Sequence, residues 1–186
     1  IERGFFKAHS KIQSADVYLV VVPTPFKKDY TADLIHLKSA VKSLIPHLKP
    51  NDILIIESTC PIGTTETIAK NIFYQRPDLK NNLSIAYCPE RVLPGNVLFE
   101  LINNDRVIGG IDQRSTEEAH KFYSLFVKGN LYKTDSRTAE MCKLTENASR
   151  DVQIAFANEL SIICAEAEIN PYKLIELANK HPRVNI

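Results

Sequence analysis

The chain reads as an α/β protein: part of a doubly wound parallel sheet, followed by a helical central domain. Three observations predict this. Short apolar runs at residues 15–22, 53–56 and 83–87 alternate with stretches of helical spacing, the pattern of strands joined by right-handed helical crossovers. Each run is apolar at nearly every position, as in strands covered on both faces. After Thr138 the alternation stops, and residues 139–167 form one long segment without Gly or Pro. The expected division is therefore residues 1–138 for the sheet domain and 139–186 for the helical one.

Taken in order, the first strand is ADVYLVVV, stopped by Pro23-Thr24-Pro25. Residues 31–45 follow with Leu34, Leu37, Val41 and Leu44 on one helical face, and Pro46 ends that helix because it cannot donate to the turn before it. The second strand, ILII, leads into Glu57-Ser58-Thr59. Beyond Pro61-Ile62-Gly63, Thr64 or Thr65 is placed to cap a helix with Glu66 in its first turn, running to about Tyr74. The third strand ends in Cys88-Pro89-Glu90-Arg91. Ligands of such sheets sit beyond the carboxyl ends of the strands, where this chain carries three polar tails. One tail alone is ordinary turn chemistry; three in succession point to a site. Residues 92–105 read as irregular with a helical turn, 106–110 as a short strand, 116–126 as an amphipathic helix and 131–134 as another strand.

The long segment has apolar residues stepping by three and four from Met141 through Leu144, Val152, Phe156 and Leu160 to Ile163, which is one face of a helix. Lys143, Asn147 and Arg150 share the opposite face. From Val152 onward the helix is apolar on several sides, the pattern of a helix buried all round. A plain core helix accounts for this; so does a spine with an active-site lysine at one end and a packing surface at the other. Asn170-Pro171 opens a last helix that stops near His181-Pro182.

Composition excludes several classes. The chain has 186 residues, 44% hydrophobic and 24% charged, as in ordinary globular proteins. A net charge of +1 gives no case for nucleic acid or an anionic membrane surface. No apolar run reaches about 18 residues, and the first residues lack the apolar core of a signal peptide. Cys60, Cys88, Cys142 and Cys164 are scattered, which suits reduced thiols in a cytoplasmic protein better than disulfides or a zinc site. None of the six glycines falls in GxGxxG, the phosphate-gripping turn of a dinucleotide fold. With Ile1 in place of a Met, the chain reads as an internal piece.

The runs ADVYLVVVPTPF, IESTCPIGTTE, IAYCPERVLPGNV, ELINNDRVIGG, SRTAEMCKLTENASRDVQIAFANELSIICAE and ELANKHPRVNI resemble, in order and spacing, the UDP-glucose/GDP-mannose dehydrogenases. CPERVLPG and HPRVNI resemble the N-acetylhexosamine branch; Pro94 stands where the UDP-glucose branch has a second Glu. The resemblance implies a Rossmann-like NAD-binding sheet and oxidation of UDP-N-acetyl-D-mannosamine at C6 to the uronic acid, used for surface polysaccharide. The route is two hydride transfers through a cysteine thioester. That cysteine lies in a Gly-rich loop after HPRVNI, so the isolated chain is expected to be inactive.

The resemblance also assigns roles. Lys143 is the proton-transfer group that steadies the oxyanion, with Asn147 on the same oxygen or a water. Glu90 orients substrate or water, and Thr59 positions a catalytic water. Thr24 and Thr65 are NAD contacts on the nicotinamide side. Arg91, Val92 and Arg150 are sugar-nucleotide contacts, as are Lys143 and Asn147, and His181 and Arg183 are contacts that a partner subunit supplies. A homodimer through the long helix is expected, with no metal, nucleic acid or membrane. The alternatives are UDP-N-acetylglucosamine as substrate, or a non-catalytic dimerising piece.

Overall fold

The computed structural model describes residues 7–93 and 95–186; the Pro94 position lies outside them. The chain divides between Lys143 and Leu144 into two compact units. In the first, β1 (Val17–Val20), β2 (Ile53–Ile56), β3 (Ser84–Tyr87), β4 (Arg106–Gly110) and β5 (Leu131–Asp135) alternate with α1 (Ile35–Leu44), α2 (Thr64–Gln75), α3 (Val97–Asn103) and α4 (Gln113–Ser124). The strands lie side by side in chain order.

β1 with β2, β2 with β3, and β4 with β5 pair in parallel, but β4 runs antiparallel to β3, with Ala86 opposite Gly110. The sheet is predominantly parallel, as expected from the alternation, and β3–β4 is its one antiparallel pairing among the described residues. The cause is α3. It has seven residues and no buried side chain, about 10 Å of helix at 1.5 Å per residue. A crossover helix must span the sheet and cover it; α3 does neither, so the chain turns back along the same edge.

Successive strand residues point to opposite faces, and both faces are covered. Tyr18, Leu54, Ile56 and Ile85 pack with Leu37 and Val41 of α1 and with Ile68 and Ile72 of α2. Ile53, Ile55, Ala86 and Ile108 pack with Ala119 and Tyr123 of α4 on the other side. Leu54, Ile55, Ile56 and Ile85 are 0% exposed, each worth about 1.5–3 kcal/mol of burial. β1 is two residues shorter at each end than its apolar run, because its register with β2 stops at Val20↔Ile56. Pro46 stands in a single 3-10 turn, Ile45–His47, that closes α1.

α5 (Ser136–Glu166) begins in the first unit. Asp135 starts it: its carboxyl accepts from the Thr138 N–H at 2.9 Å and the Thr138 hydroxyl at 2.7 Å, bonds that hold it below the usual carboxylate range. Gly109 is required here. A Cβ on it would lie 2.2 Å from the Asp135 carbonyl oxygen and 2.8 Å from the Ala139 Cβ.

The second unit holds the rest of α5 and α6 (Pro171–Ala178). Asn170 caps α6 by accepting from the N–H groups of Tyr172 and Lys173. Cys164, in the last turn of α5, is buried, and its carbonyl accepts from the Ile169 N–H at 2.8 Å. Past Val152, α5 is not covered within one chain: Val152 is 68% exposed, Phe156 54% and Ile163 55%. An eight-residue α6 cannot cover a helix that is apolar on several sides.

Candidate active site

The three polar tails meet at the carboxyl edge of β1, β2 and β3. Ser58 ties the first to the second: its hydroxyl oxygen accepts from the Val22 N–H and its O–H donates to the Val22 carbonyl, both at 2.8 Å. The Pro23-Thr24-Pro25 turn therefore leaves β1 in a fixed direction. The Glu57 N–H donates to the Val20 carbonyl at 3.1 Å, the Cys88 N–H to Ile56 at 3.0 Å and the Glu90 N–H to Glu57 at 3.4 Å. Thr24, Thr59, Glu90, Arg91 and Val92 are all half-buried along this edge.

Because β4 runs backwards, its first residue, Arg106, also reaches this edge. Its guanidinium lies 3.5 Å from the Glu57 carboxylate and 4.7 Å above the Tyr123 ring, and it donates to the Leu101 carbonyl at 3.3 Å. The Tyr123 hydroxyl donates to Glu57. Burial first, then the Cys88 and Glu57 charges, push the Tyr123 phenol well above its usual range, so it remains a donor. This cluster forms a charged but internally satisfied floor beneath the tails.

Lys143 sits near the start of α5. Its amine donates to the Glu90 carbonyl at 2.7 Å, which places a half-buried cation directly on the β3 tail. The Glu90 carboxyl turns back to accept from the Val92 N–H, and Arg91 donates to the Asp105 carbonyl at 3.1 Å. Lys143, Glu90, Arg91 and Val92 are thus brought together within the first unit.

The expected threonine cap of α2 is corrected. The residue before the helix is Gly63, with φ of +86° and no side chain to cap with. The donors are met from α5: Glu140, 0% exposed, accepts from the Gly63 N–H at 2.5 Å, the Thr65 N–H at 2.8 Å and the Thr65 hydroxyl at 2.7 Å. Thr65 is itself 0% exposed, so its hydroxyl is committed to Glu140. Sequence reasoning missed Glu140, as it did Ser58 and the Arg106–Glu57 pair. The available signal was a helix start whose preceding Gly leaves its first N–H groups unmet.

The cysteines at this edge are unsuited to nucleophilic attack. Burial, then the Glu140 charge, pushes the Cys60 thiol up to about 12, and burial raises Cys88 to about 11 against the partly opposing Arg106. Attack needs the thiolate.

In the second unit, Asn147 is half-buried, whereas Arg150, His181 and Arg183 are exposed. The Arg183 N–H donates to His181 Nδ1 at 3.4 Å. Among the described residues, no group of three or more His, Cys, Asp or Glu is placed to hold a metal, and no helix is long and apolar enough to cross a membrane.

Comparison with known proteins gives consistent results at the levels of family, sequence and structure. Residues 2–127 match the protein-family model of the UDP-glucose/GDP-mannose dehydrogenase family, NAD binding domain, and residues 137–186 match the central domain of the same family. The UDP-N-acetyl-D-mannosamine dehydrogenase of Yersinia pestis is 54% identical over 194 residues, which take in 100% of this chain and 46% of that protein. The NDP-N-acetyl-D-galactosaminuronic acid dehydrogenase of Ralstonia solanacearum is 49% identical with the same coverage. The native structure of the Staphylococcus aureus UDP-N-acetyl-mannosamine dehydrogenase superimposes with a TM-score of 0.91 at 41% identity, over 100% of this chain and 46% of that one. The chain therefore spans about half the length of the curated relatives it matches.

Proposed function

Because the chain belongs to the UDP-glucose/GDP-mannose dehydrogenase family, we propose that the whole protein oxidises UDP-N-acetyl-D-mannosamine at C6 to the uronic acid, in the cytoplasm, for surface polysaccharide. NAD is the cofactor of the matched domain. When bound it would supply the hydride acceptor for two successive oxidations, after which one water hydrolyses the thioester to the carboxylate and frees the thiol.

The observation that carries the reading is the Lys143 amine, half-buried and 2.7 Å from the Glu90 carbonyl. An ammonium fixed on a strand tail can stabilise an alkoxide and exchange a proton with it. Asn147 supports the same oxygen or a water, Thr59 holds the attacking water, and Glu90 orients it. Arg91, Val92 and Arg150 bind the sugar nucleotide.

The tails also suit the nicotinamide end of NAD. Glu140 already occupies the donors of the α2 N-terminus, so that helix offers no anion cradle of the usual kind. Thr65, 0% exposed and with its N–H and hydroxyl both given to Glu140, shapes the α2 turn, and Thr24, half-buried on the β1 tail, is the threonine left to meet the nicotinamide side. The thioester cysteine of the reading is neither Cys60 nor Cys88, whose buried thiols hold their protons.

The second unit completes the proposal. The apolar α5 face around Phe156 and Leu160 pairs with its twofold mate in an isologous contact, and His181 and Arg183 reach a partner's substrate. A guanidinium suits a bidentate grip on phosphate.

The test is a substrate panel on the whole protein, followed by NADH absorbance: UDP-N-acetylmannosamine, UDP-N-acetylglucosamine, UDP-N-acetylgalactosamine and UDP-glucose. The proposal expects the highest kcat/KM with the first and two NADH per sugar consumed. A preference for another sugar would move the substrate assignment; one NADH per sugar would remove the thioester route.

A further inference from the structure

The proposed chemistry uses Lys143 but leaves unexplained why a fully buried carboxyl sits one helical turn before it. Glu140 and Lys143 are three residues apart on α5 and so lie on neighbouring positions of one face. Glu140 Oε2 accepts from Gly63 at 2.5 Å, and Oε1 accepts from the Thr65 N–H at 2.8 Å and the Thr65 hydroxyl at 2.7 Å. The Cys60 thiol approaches the same Oε1 at 3.8 Å. All these donors belong to the β2–α2 loop and the first turn of α2, so Glu140 fastens α5 to the segment that carries Thr59.

An ordinary cap would come from the residue preceding the helix. Here that residue is Gly63 at φ +86°, a conformation that favours glycine, and the cap arrives instead from 77 residues further along the chain. A local cap would satisfy the same N–H groups without connecting two elements. The long-range one makes the position of α5 depend on the loop. Ala139, 0% exposed, seats the same turn against the sheet core. The next turn carries the Lys143 amine to the Glu90 carbonyl at 2.7 Å, and the Glu90 N–H is held by the carbonyl of Glu57. The loop, Glu140, Lys143 and the β3 tail thus form one continuous set of fixed points.

We propose that Glu140 is a positioning residue: by capping α2 from α5 it holds the Lys143 amine in register with the Thr59 loop for proton transfer. This rests on the reading of Lys143 given above.

The test is a double-mutant cycle on the whole protein. Glu140→Gln keeps the side chain's shape but turns one acceptor into an NH2 facing N–H donors. The proposal expects kcat to fall about 10-fold or more, a part of the roughly 10²–10⁴-fold that a positioned proton-transfer group contributes, while KM for sugar nucleotide and NAD each changes less than about 3-fold. In a Lys143→Ala background the same substitution is expected to change kcat less than about 2-fold, because its effect passes through the amine. An equal loss in both backgrounds, or a loss carried by KM alone, would overturn the proposal and leave Glu140 a structural cap. If Lys143→Ala by itself left kcat unchanged, the reading of Lys143 would fail instead, and the two failures are distinct. Should Glu140→Gln not yield folded protein, Glu140→Asp, which keeps both acceptors but is one methylene shorter, enters the cycle under the same criteria.

Discussion

Replacing Arg106 by Met tests the floor of the site. The guanidinium and the Glu57 carboxylate are 7% and 10% exposed and 3.5 Å apart. The substitution removes that pair, the 3.3 Å bond to the Leu101 carbonyl and the stacking over Tyr123 at 4.7 Å. Glu57 is left buried with the Tyr123 hydroxyl as its partner. Breaking a buried pair from one side costs about 3–5 kcal/mol. The surviving Tyr123 bond puts the expected loss near the lower end, about 3 kcal/mol. Adding Glu57→Gln removes the stranded charge, so the double variant should recover about 1–2 kcal/mol of it, a coupling of ordinary size for groups in contact. Urea denaturation of the whole protein, followed by tyrosine fluorescence, reads both numbers as shifts in midpoint at constant slope. A loss below about 1 kcal/mol, or a double variant no better than Arg106→Met, would show that the pair is not the internally satisfied unit described.

Three further outcomes follow from single features. Among the described residues the buried Tyr87 hydroxyl has no hydrogen-bond partner, so Tyr87→Phe should leave the thermal midpoint unchanged or raise it; a loss above about 1 kcal/mol, the net worth of a typical hydrogen bond, would reveal a partner. Cys60 and Cys88 should resist a thiol-specific disulfide reagent at neutral pH until the protein unfolds, and rapid native labelling would refute their burial. Their raised thiols let the unfolded chain release protons first, so stability should hold below about pH 8.5, the ordinary thiol range, and decline as pH rises through about 11 and about 12. Leu160→Asp should convert the proposed dimer to monomers in sedimentation, since it buries unpaired carboxylates at several kcal/mol; a variant that stays a tight dimer would place the α5 contact elsewhere.

Legibility differed by element for physical reasons. β2 was readable to the residue because ILII is buried on both faces and bounded by polar turns. β1 was overread because Val21 and Val22 are apolar yet lie past the last residue of its partner. The direction of β4 had no signature in RVIGG; it depends on α3 being too short to cross the sheet. The tails were legible because their residue types are unusual at successive strand ends. Glu140 was not, because a carboxyl inside a helix looks the same whether it faces water or an uncapped helix 77 residues away. The second half of α5 was legible as apolar on several sides, but what covers it was not, and within one chain Val152, Phe156 and Ile163 stay exposed.

The account turns on Lys143, and kcat and sugar-nucleotide Kd of Lys143→Ala in the whole protein test it most directly. With the amine gone from the Glu90 carbonyl, kcat should fall by about 10²-fold or more, the scale of a positioned proton-transfer group, while Kd changes far less. An unchanged kcat with weakened binding would make Lys143 a substrate anchor and contradict the role assigned to it.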